Sequence, residues 1–317
     1  MITAPTDAPA VEARGLTMRY GTLTALDAFD LTLAPGEVFG FIGPNGAGKT
    51  TTMKIIAGLL EPTSGVARVL GRDVATHGDF VRRSVGYMPD FIGVYDDLRV
   101  DEYLDFFASA YGIPRRQRRK IVDDVLELTD LSIKRDALVE SLSRGMTQRL
   151  SLARVLVHDP PVLLLDEPAS GLDPRARIEI RELLRELKRL GKTILVSSHI
   201  LSELGEFCDS LGIIERGRLI VSGTVKDLVA KARVHPIVCV RTHGAANGAA
   251  DLLRADPRIS SIESVGEELH VTLASNDLHH GFVAELLVNA RVPIDSIQQQ
   301  QIKLEDVFLR LTQGMVQ

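Results

Sequence analysis

The 317-residue chain is short of cysteine, of positive charge and of long apolar runs. Its two cysteines, Cys208 and Cys239, have no paired spacing. That argues against a disulfide framework or a paired-cysteine metal site and fits reduced thiols. No apolar run approaches the roughly 18 residues that a membrane-spanning helix needs, so work at a membrane would require a partner that holds the chain there. Lys and Arg number 37 against 42 Asp and Glu, a net −5, which weighs against non-specific binding to nucleic acid. Residues 1–10 contain Pro, Asp and Thr but no basic apolar segment, so they are expected to form a short disordered lead, not a signal peptide.

The charge is uneven. Residues 234–317 hold 6 basic and 10 acidic side chains, a balance of −4, and the remainder hold 31 and 32, a balance of −1. The composition, 45% apolar and 25% charged, is that of a globular protein with a sizeable core, and the length suits two domains.

What is present is organised around one stretch. An apolar run over 38–42 reads as a buried strand, Gly43-x4-Gly48-Lys49-Thr50 follows, and residues 53–60 read as a helix. Strand, glycine-rich loop and helix in that order form the context of a phosphate-binding loop. Glycine lets the backbone wrap tightly and aim its N–H groups inward, and the helix start adds partial positive charge at the same place. Lys49 is placed to reach the β- and γ-phosphates, and the Thr50 hydroxyl to sit on Mg²⁺.

Upstream, residues 11–20 and 23–33 alternate well enough to be strands, with Tyr20 in a polar turn where its ring can stack on a base or pack on the core. Downstream, strands are expected at 66–70 and 84–89. Val100, Tyr103, Leu104, Phe107 and Tyr111 lie on one helical face. The basic run 115–120 reads as a solvated helix face, with Arg119–Asp123 and Lys120–Asp124 able to pair four apart. Residues 162–165 form an apolar strand ending in Asp166 and Glu167. An acid in that position can hold Mg²⁺, and the next can take a proton from an attacking water. Leu142-Ser143-Arg144-Gly145-Met146 precedes a helix that Ser143 can cap. A charged helix over 173–190 and strands at 193–197, 211–214 and 219–222 complete an alternating strand–helix order, which implies a parallel α/β sheet.

Around residues 231–236 the character changes. Strand, helix, strand, strand, helix, strand over 237–241, 246–255, 259–265, 268–273, 277–290 and 294–300 suggest a small ferredoxin-like α+β module, with a last helix over 303–311. No triad, metal spacing or glycine-rich loop is visible in it. His279 and His280, neighbours in a helix, are expected to point apart on the surface.

Together these motifs resemble the ATP-binding subunit of ABC transporters, in order and spacing, over residues 11–230. The resemblance implies a P-loop ABC ATPase cassette: a RecA-like parallel core, an antiparallel β subdomain and a helical subdomain at about 90–160. The cassette would fill 11–232, and an accessory α+β domain 233–317. ATP and Mg²⁺ are the implied ligands. Tyr20 matches the base-stacking aromatic, and Gly43, Pro44, Asn45, Gly46, Ala47, Gly48, Lys49, Thr50 and Thr51 match the Walker A loop and its helix start. Asp166 and Glu167 match Walker B and its catalytic glutamate, and His199 matches the switch histidine. Metal would rest on Thr50 and Asp166, with Asp90 in reach. Ser143, Arg144, Gly145 and Met146 match the family signature, which closes in trans over the nucleotide of a second copy or a paralogous subunit. Ser170, Gly171, Leu172 and Asp173 match the D-loop.

Three positions depart from the pattern: Arg144 replaces a glycine, Met146 a glutamine, and Asp90 the lid glutamine. Asp90 adds negative charge beside the phosphates and has no amide N–H to donate. Such drift, with the 198–203 and 304–311 runs, resembles the branch that energises ABC-2-type export permeases for drugs, lipids, polysaccharides or ions. The expected setting is cytoplasmic, on the inner membrane face through the permease, with no nucleic acid bound. Two readings stay open beside it. One is a soluble ABC ATPase acting on DNA or ribosomes, though neither a coiled-coil insertion nor a second cassette is visible. The other is a regulatory module that no longer hydrolyses, against which Lys49, Asp166, Glu167 and His199 argue. No Asn-Lys-x-Asp guanine motif occurs.

Overall fold

The computed structural model describes residues 8–91, 93, 95, 97–232, 236–243, 246–266, 268–275, 279–300 and 304–311. Most of the predicted lead lies outside the described residues, as do Lys303, Asp277 and residues 233–235 of the stretch where the composition changes. In chain order, β1 (Val11–Tyr20) and β2 (Leu23–Leu33) form an antiparallel pair, and β3 (Val38–Ile42) leads through the glycine-rich loop into α1 (Lys49–Ile56). The strands β4 (Ser64–Val69) and β5 (Arg72–Asp73) complete a four-stranded antiparallel sheet in the order β2-β1-β4-β5. Next come α2 (Gly78–Ser84), which the sequence pattern did not announce, and β6 (Val85–Met88).

A helical region comes next: α3 (Val100–Ala110), α4 (Arg115–Leu128) and α5 (Arg144–Leu156). Val100, Tyr103 and Leu104 of the α3 stripe are buried, while Tyr111 is exposed. Residues 115, 116, 119 and 120 are exposed, as a solvated face should be, but Asp123 pairs with Arg135 instead of Arg119. The long-range partner wins because Arg135 comes after a turn that returns the chain beside α4.

The chain then alternates through β7 (Val162–Leu165), α6 (Pro174–Arg189), β8 (Thr193–Ser198), α7 (Leu201–Gly205), β9 (Ser210–Glu215) and β10 (Arg218–Gly223). Six strands order as β10-β9-β3-β8-β7-β6, parallel except for β10 against β9. Every residue of β3, β7 and β8 is buried, which is why these strands read as unbroken apolar runs. In parallel α/β sheets, sites form outside the carboxyl ends of the strands, and β3, β7 and β8 all deliver their last residues to one such edge.

After α8 (Val225–Lys231) the second unit runs β11 (Ile237–Thr242), α9 (Ala246–Arg254), β12 (Ile259–Val265), β13 (Glu268–Leu273), α10 (Gly281–Asn289), β14 (Ile294–Gln300) and α11 (Leu304–Leu311). Its antiparallel sheet orders as β12-β13-β11-β14, and Val238, Val240, Leu269 and Val271 pack with α9 and α10 on one face. The division between compact units falls at Val225/Lys226, earlier than the sequence-based boundary at 232/233, because nearly all of α8 belongs to the second unit. His279 and His280 lie before α10, not inside it, so their rings stack at 5.0 Å instead of pointing apart. Among the described residues, no helix is long and apolar enough to cross a membrane.

Candidate functional site

The glycine-rich loop is shaped by steric necessity at two of its positions. A Cβ on Gly43 would fall 2.3 Å from the Ile214 carbonyl oxygen, and Gly48 has φ +111° with the Ala25 carbonyl 2.8 Å from where its Cβ would be. Gly48 therefore turns the chain in the left-handed region and releases it into α1 at Lys49, four residues before the predicted start at Met53. Three threonines in the first turn, poor helix formers, hid that start. Thr52 answers its own cost by donating from Oγ1 to the Gly48 carbonyl at 2.9 Å.

Lys49 is buried, and its Nζ donates to the carbonyls of Gly43 at 2.7 Å and Pro44 at 3.3 Å. Thr50 Oγ1 donates to Asp166 Oδ2 at 2.6 Å, and Ser197 Oγ donates to Asp166 Oδ1 at 2.7 Å. The same Ser197 oxygen accepts the Glu167 backbone N–H at 2.9 Å. Asp166 is buried at the end of β7, and Glu167 takes up a left-handed backbone at φ +50°. That conformation is uncommon for a residue with a side chain and costs on the order of 1 kcal/mol. It turns the Glu167 carboxylate back over the loop.

One oxygen of Glu167 lies 2.8 Å from His199 Nδ1. The other, Oε1, is buried with no hydrogen-bond donor among the described residues and sits 3.6 Å from Lys49 Nζ. The loop, Asp90, Asp166 and Glu167 line one cleft of about 150 Å³. Loss of water contact, then the charges of Asp166 and Glu167, raise the Asp90 carboxyl above the usual carboxylate range, against the opposing pull of Arg144 and His199. Tyr87 on β6 stands behind this edge. Its hydroxyl is buried with no hydrogen-bond partner among the described residues and is pushed up to about 12 by burial, then by Asp166 and Asp90.

A second group forms around α5. Ser143 caps the helix by accepting the Met146 N–H at 3.4 Å. Arg144 donates from Nη2 to the Ser170 carbonyl at 3.3 Å and lies so close over Gly171 that a Cβ there would fall 2.2 Å from the guanidinium. Buried Gln148 donates to the Pro168 carbonyl at 3.0 Å. Asp173 caps α6 by accepting the Ala176 N–H at 3.0 Å, and Leu172 is buried. Arg144, expected to act across a dimer, is thus engaged with residues 170–171 of its own chain. Tyr20 stands at the exposed end of β1, 47% accessible, and is not among the residues lining the cleft.

The structure therefore brings together Lys49, Thr50, Asp90, Asp166, Glu167 and His199. It places Arg144 of the α5 start against Ser170 and Gly171, with its charge also acting on Asp90 of the cleft. Sequence reasoning missed the bridging role of Ser197 and the buried Tyr87 hydroxyl. The Ser197-Ser198-His199 run held the only signal for the first, and nothing in the pattern marks the second.

The ABC transporter family profile matches residues 26–170. Nod factor export ATP-binding protein I of Ralstonia nicotianae is 37% identical over 306 residues, covering 96% of this chain and 94% of that protein. The chain belongs to the ABC transporter family. It is an ATP-binding, ATP-hydrolysing subunit of such a transporter. The chain is also 40% identical over 222 residues to the Probable multidrug ABC transporter ATP-binding protein YbhF of Escherichia coli, covering 70% of this chain and 38% of that protein. Among solved structures, the cbiO1 component of the cbiONQ ABC transporter complex of Clostridium perfringens superposes with a TM-score of 0.65 at 32% identity. That match covers 72% of this chain and 93% of that one.

The residues of this ABC cassette fit a magnesium nucleotide. The Thr50 hydroxyl and Asp166 carboxylate offer the hard oxygen donors that Mg²⁺ takes. Lys49 Nζ, resting on loop carbonyls, and Glu167 Oε1 lie 3.6 Å apart on the wall of the same cleft, a cation and an acid in reach of an anionic ligand and its water.

Proposed function

We propose that this subunit hydrolyses MgATP in a head-to-tail dimer and thereby drives a separate membrane permease, in the export direction. The observation that carries the reading is the set of contacts on one cleft wall: Lys49 Nζ and His199 Nδ1 converge on the single carboxylate of Glu167, whose Oε1 is buried. In the proposed reaction, backbone N–H groups of residues 46–51 and Lys49 hold the β- and γ-phosphates. Thr50 and Asp166 would hold Mg²⁺, which neutralises charge building on the phosphate oxygens. Glu167 accepts a proton from the attacking water, and His199, hydrogen-bonded to the same carboxylate, orients it and meets the γ-phosphate. Tyr20 stacks on the base. Ser143 and Gly145 of a second copy complete each site, while Arg144 fixes the D-loop that they approach.

The export direction is supported by the Nod factor export relative of Ralstonia nicotianae, which matches nearly the whole chain. The permease contact is proposed at the aromatic group beside α3. Phe91 is 85% exposed, and Tyr95 and Phe106, also exposed, meet edge-on at 5.6 Å. Exposed apolar clusters of this kind mark partner surfaces. Through that partner the subunit would sit at the cytoplasmic face of the membrane.

Two variants test the chemistry. Lys49→Ala is expected to lose ATP binding, measured by a fluorescent nucleotide analogue. Glu167→Gln is expected to keep binding and to lose turnover by about 100- to 10,000-fold, the usual contribution of a general base. Wild-type turnover in Glu167→Gln would remove Glu167 from this role.

A further inference from the structure

The second unit carries a cluster that none of the transport chemistry uses. Cys239 on β11 is paired across the sheet with His270 on β13, and Arg241 with Glu268. In an antiparallel pair, residues directly opposite share a face, and so do residues two apart on one strand. Cys239, Arg241, Glu268 and His270 therefore occupy one face. Val238, Val240, Leu269 and Val271 occupy the other, where α9 and α10 cover them. The ligand-bearing face is partly open, with the His270 side chain 25% and Glu268 33% exposed.

The Cys239 sulfur, a Glu268 oxygen and a His270 ring nitrogen all lie within 4.8 Å of one another. The two carboxylate oxygens of Glu268 are differently engaged. Oε1 accepts from Arg241 Nη2 at 2.7 Å, while Oε2 lies 3.8 Å from His270 Nε2. One oxygen is thus anchored by an arginine and the other is aimed at the cluster, which is how an outer-shell partner orients a ligating carboxylate.

We propose that Cys239, Glu268 and His270 form a three-ligand site for a zinc-class divalent cation on the open face of the C-terminal sheet, with water in the fourth position. Sulfur and imidazole nitrogen select against Mg²⁺ and Ca²⁺ and favour Zn²⁺ or Co²⁺. Metal–ligand distances of about 2.0–2.3 Å require the three ligand atoms to draw together by about 1 Å from their present spacing, within reach of side-chain rotation. Binding exchanges the thiol proton for the cation and releases that proton to solvent. The site escapes a search for close ligand spacing because its ligands come from two strands 29 residues apart in sequence at Cys239 and Glu268. Only the strand register brings them together.

The test uses Co²⁺ alone as probe on the full-length, nucleotide-free chain. One Co²⁺ per chain should bind with a thiolate-to-cobalt charge-transfer band in the near ultraviolet and the visible bands of a tetrahedral ion, and Zn²⁺ should displace it. Cys239→Ser should abolish the charge-transfer band, His270→Ala should abolish tight binding, and Arg241→Gln should weaken Zn²⁺ binding about 10-fold, a usual loss on removing an outer-shell partner. Cys208→Ser should change none of these, and Cys239→Ser should keep wild-type ATPase activity as the control for folding. Absence of the band in the wild-type chain, or its persistence in Cys239→Ser, would overturn the proposal.

Discussion

Asp90 puts a carboxylate where the family pattern has an amide, and its neighbours show the effect. Its carboxyl is held above the usual range by lost water contact and by Asp166 and Glu167. In the nucleotide complex it would face phosphates as well. Asp90→Asn is therefore expected to lower KM for MgATP, because a negative charge beside the phosphates is removed. Steady-state kinetics check this, and an unchanged KM would mean that Asp90 points away from the nucleotide. Arg144 is the counterweight. It draws Asp90 toward the charged form while bonding the Ser170 carbonyl. Of the residues in this site, Lys49, Thr50, Asp166, Glu167 and His199 could be read from sequence because each comes after a strand or loop with a distinctive pattern. Ser197, which ties Asp166 to the Glu167 backbone, was missed: the Ser197-Ser198-His199 run hints at a strand end, but only the register places its hydroxyl between two acids.

Among the elements, the strands were the most legible. The bounds of β1 and β2 coincide with their alternating runs, and β7 with its apolar run. Helix starts were less so. In α1 the conformation of Gly48 decided the start against threonine propensity, and α2, only seven residues long, has too short a period to be seen. The sheet core predicts its own sensitivity. Leu164 is fully buried in β7, so Leu164→Ala should cost about 2–5 kcal/mol in urea unfolding. The helical region has a different dependence on acid. The His158 ring stacks on Tyr111 at 3.8 Å and is pushed down to about 4, mainly by burial. An unfolded histidine takes its proton near 6.5, whereas the folded one takes it near 4. The unfolded state thus binds more protons between those values, so this contribution is present above about pH 6.5 and is lost as pH falls toward 4. His158→Gln should flatten the fall in stability between pH 7 and 5. Parallel slopes for wild type and variant would contradict it. For docking, Phe106→Asp on α3 should leave the basal ATPase intact and weaken co-purification with the permease.

At the scale of the whole molecule, the chain is two units with different legibility. The cassette was read through motifs, and its function came from them. The second unit was read only as alternating elements. Their order was enough for the βαββαβ topology, but side chains that gather across β11 and β13 become neighbours only in three dimensions. The cassette also implies an assembly larger than itself. Residues 143–146 form a capped helix start and are not among the residues lining the cleft of Lys49 and Glu167, which agrees with the proposal that a second chain brings its own signature to each nucleotide. The most direct measurement is the solution mass of the Glu167→Gln chain with and without MgATP, by light scattering. A rise from the 34.6 kDa of one chain to twice that on adding MgATP, absent when Lys49→Ala is combined with it, is the predicted result. A chain that binds ATP fully and stays at the mass of one copy would contradict the account.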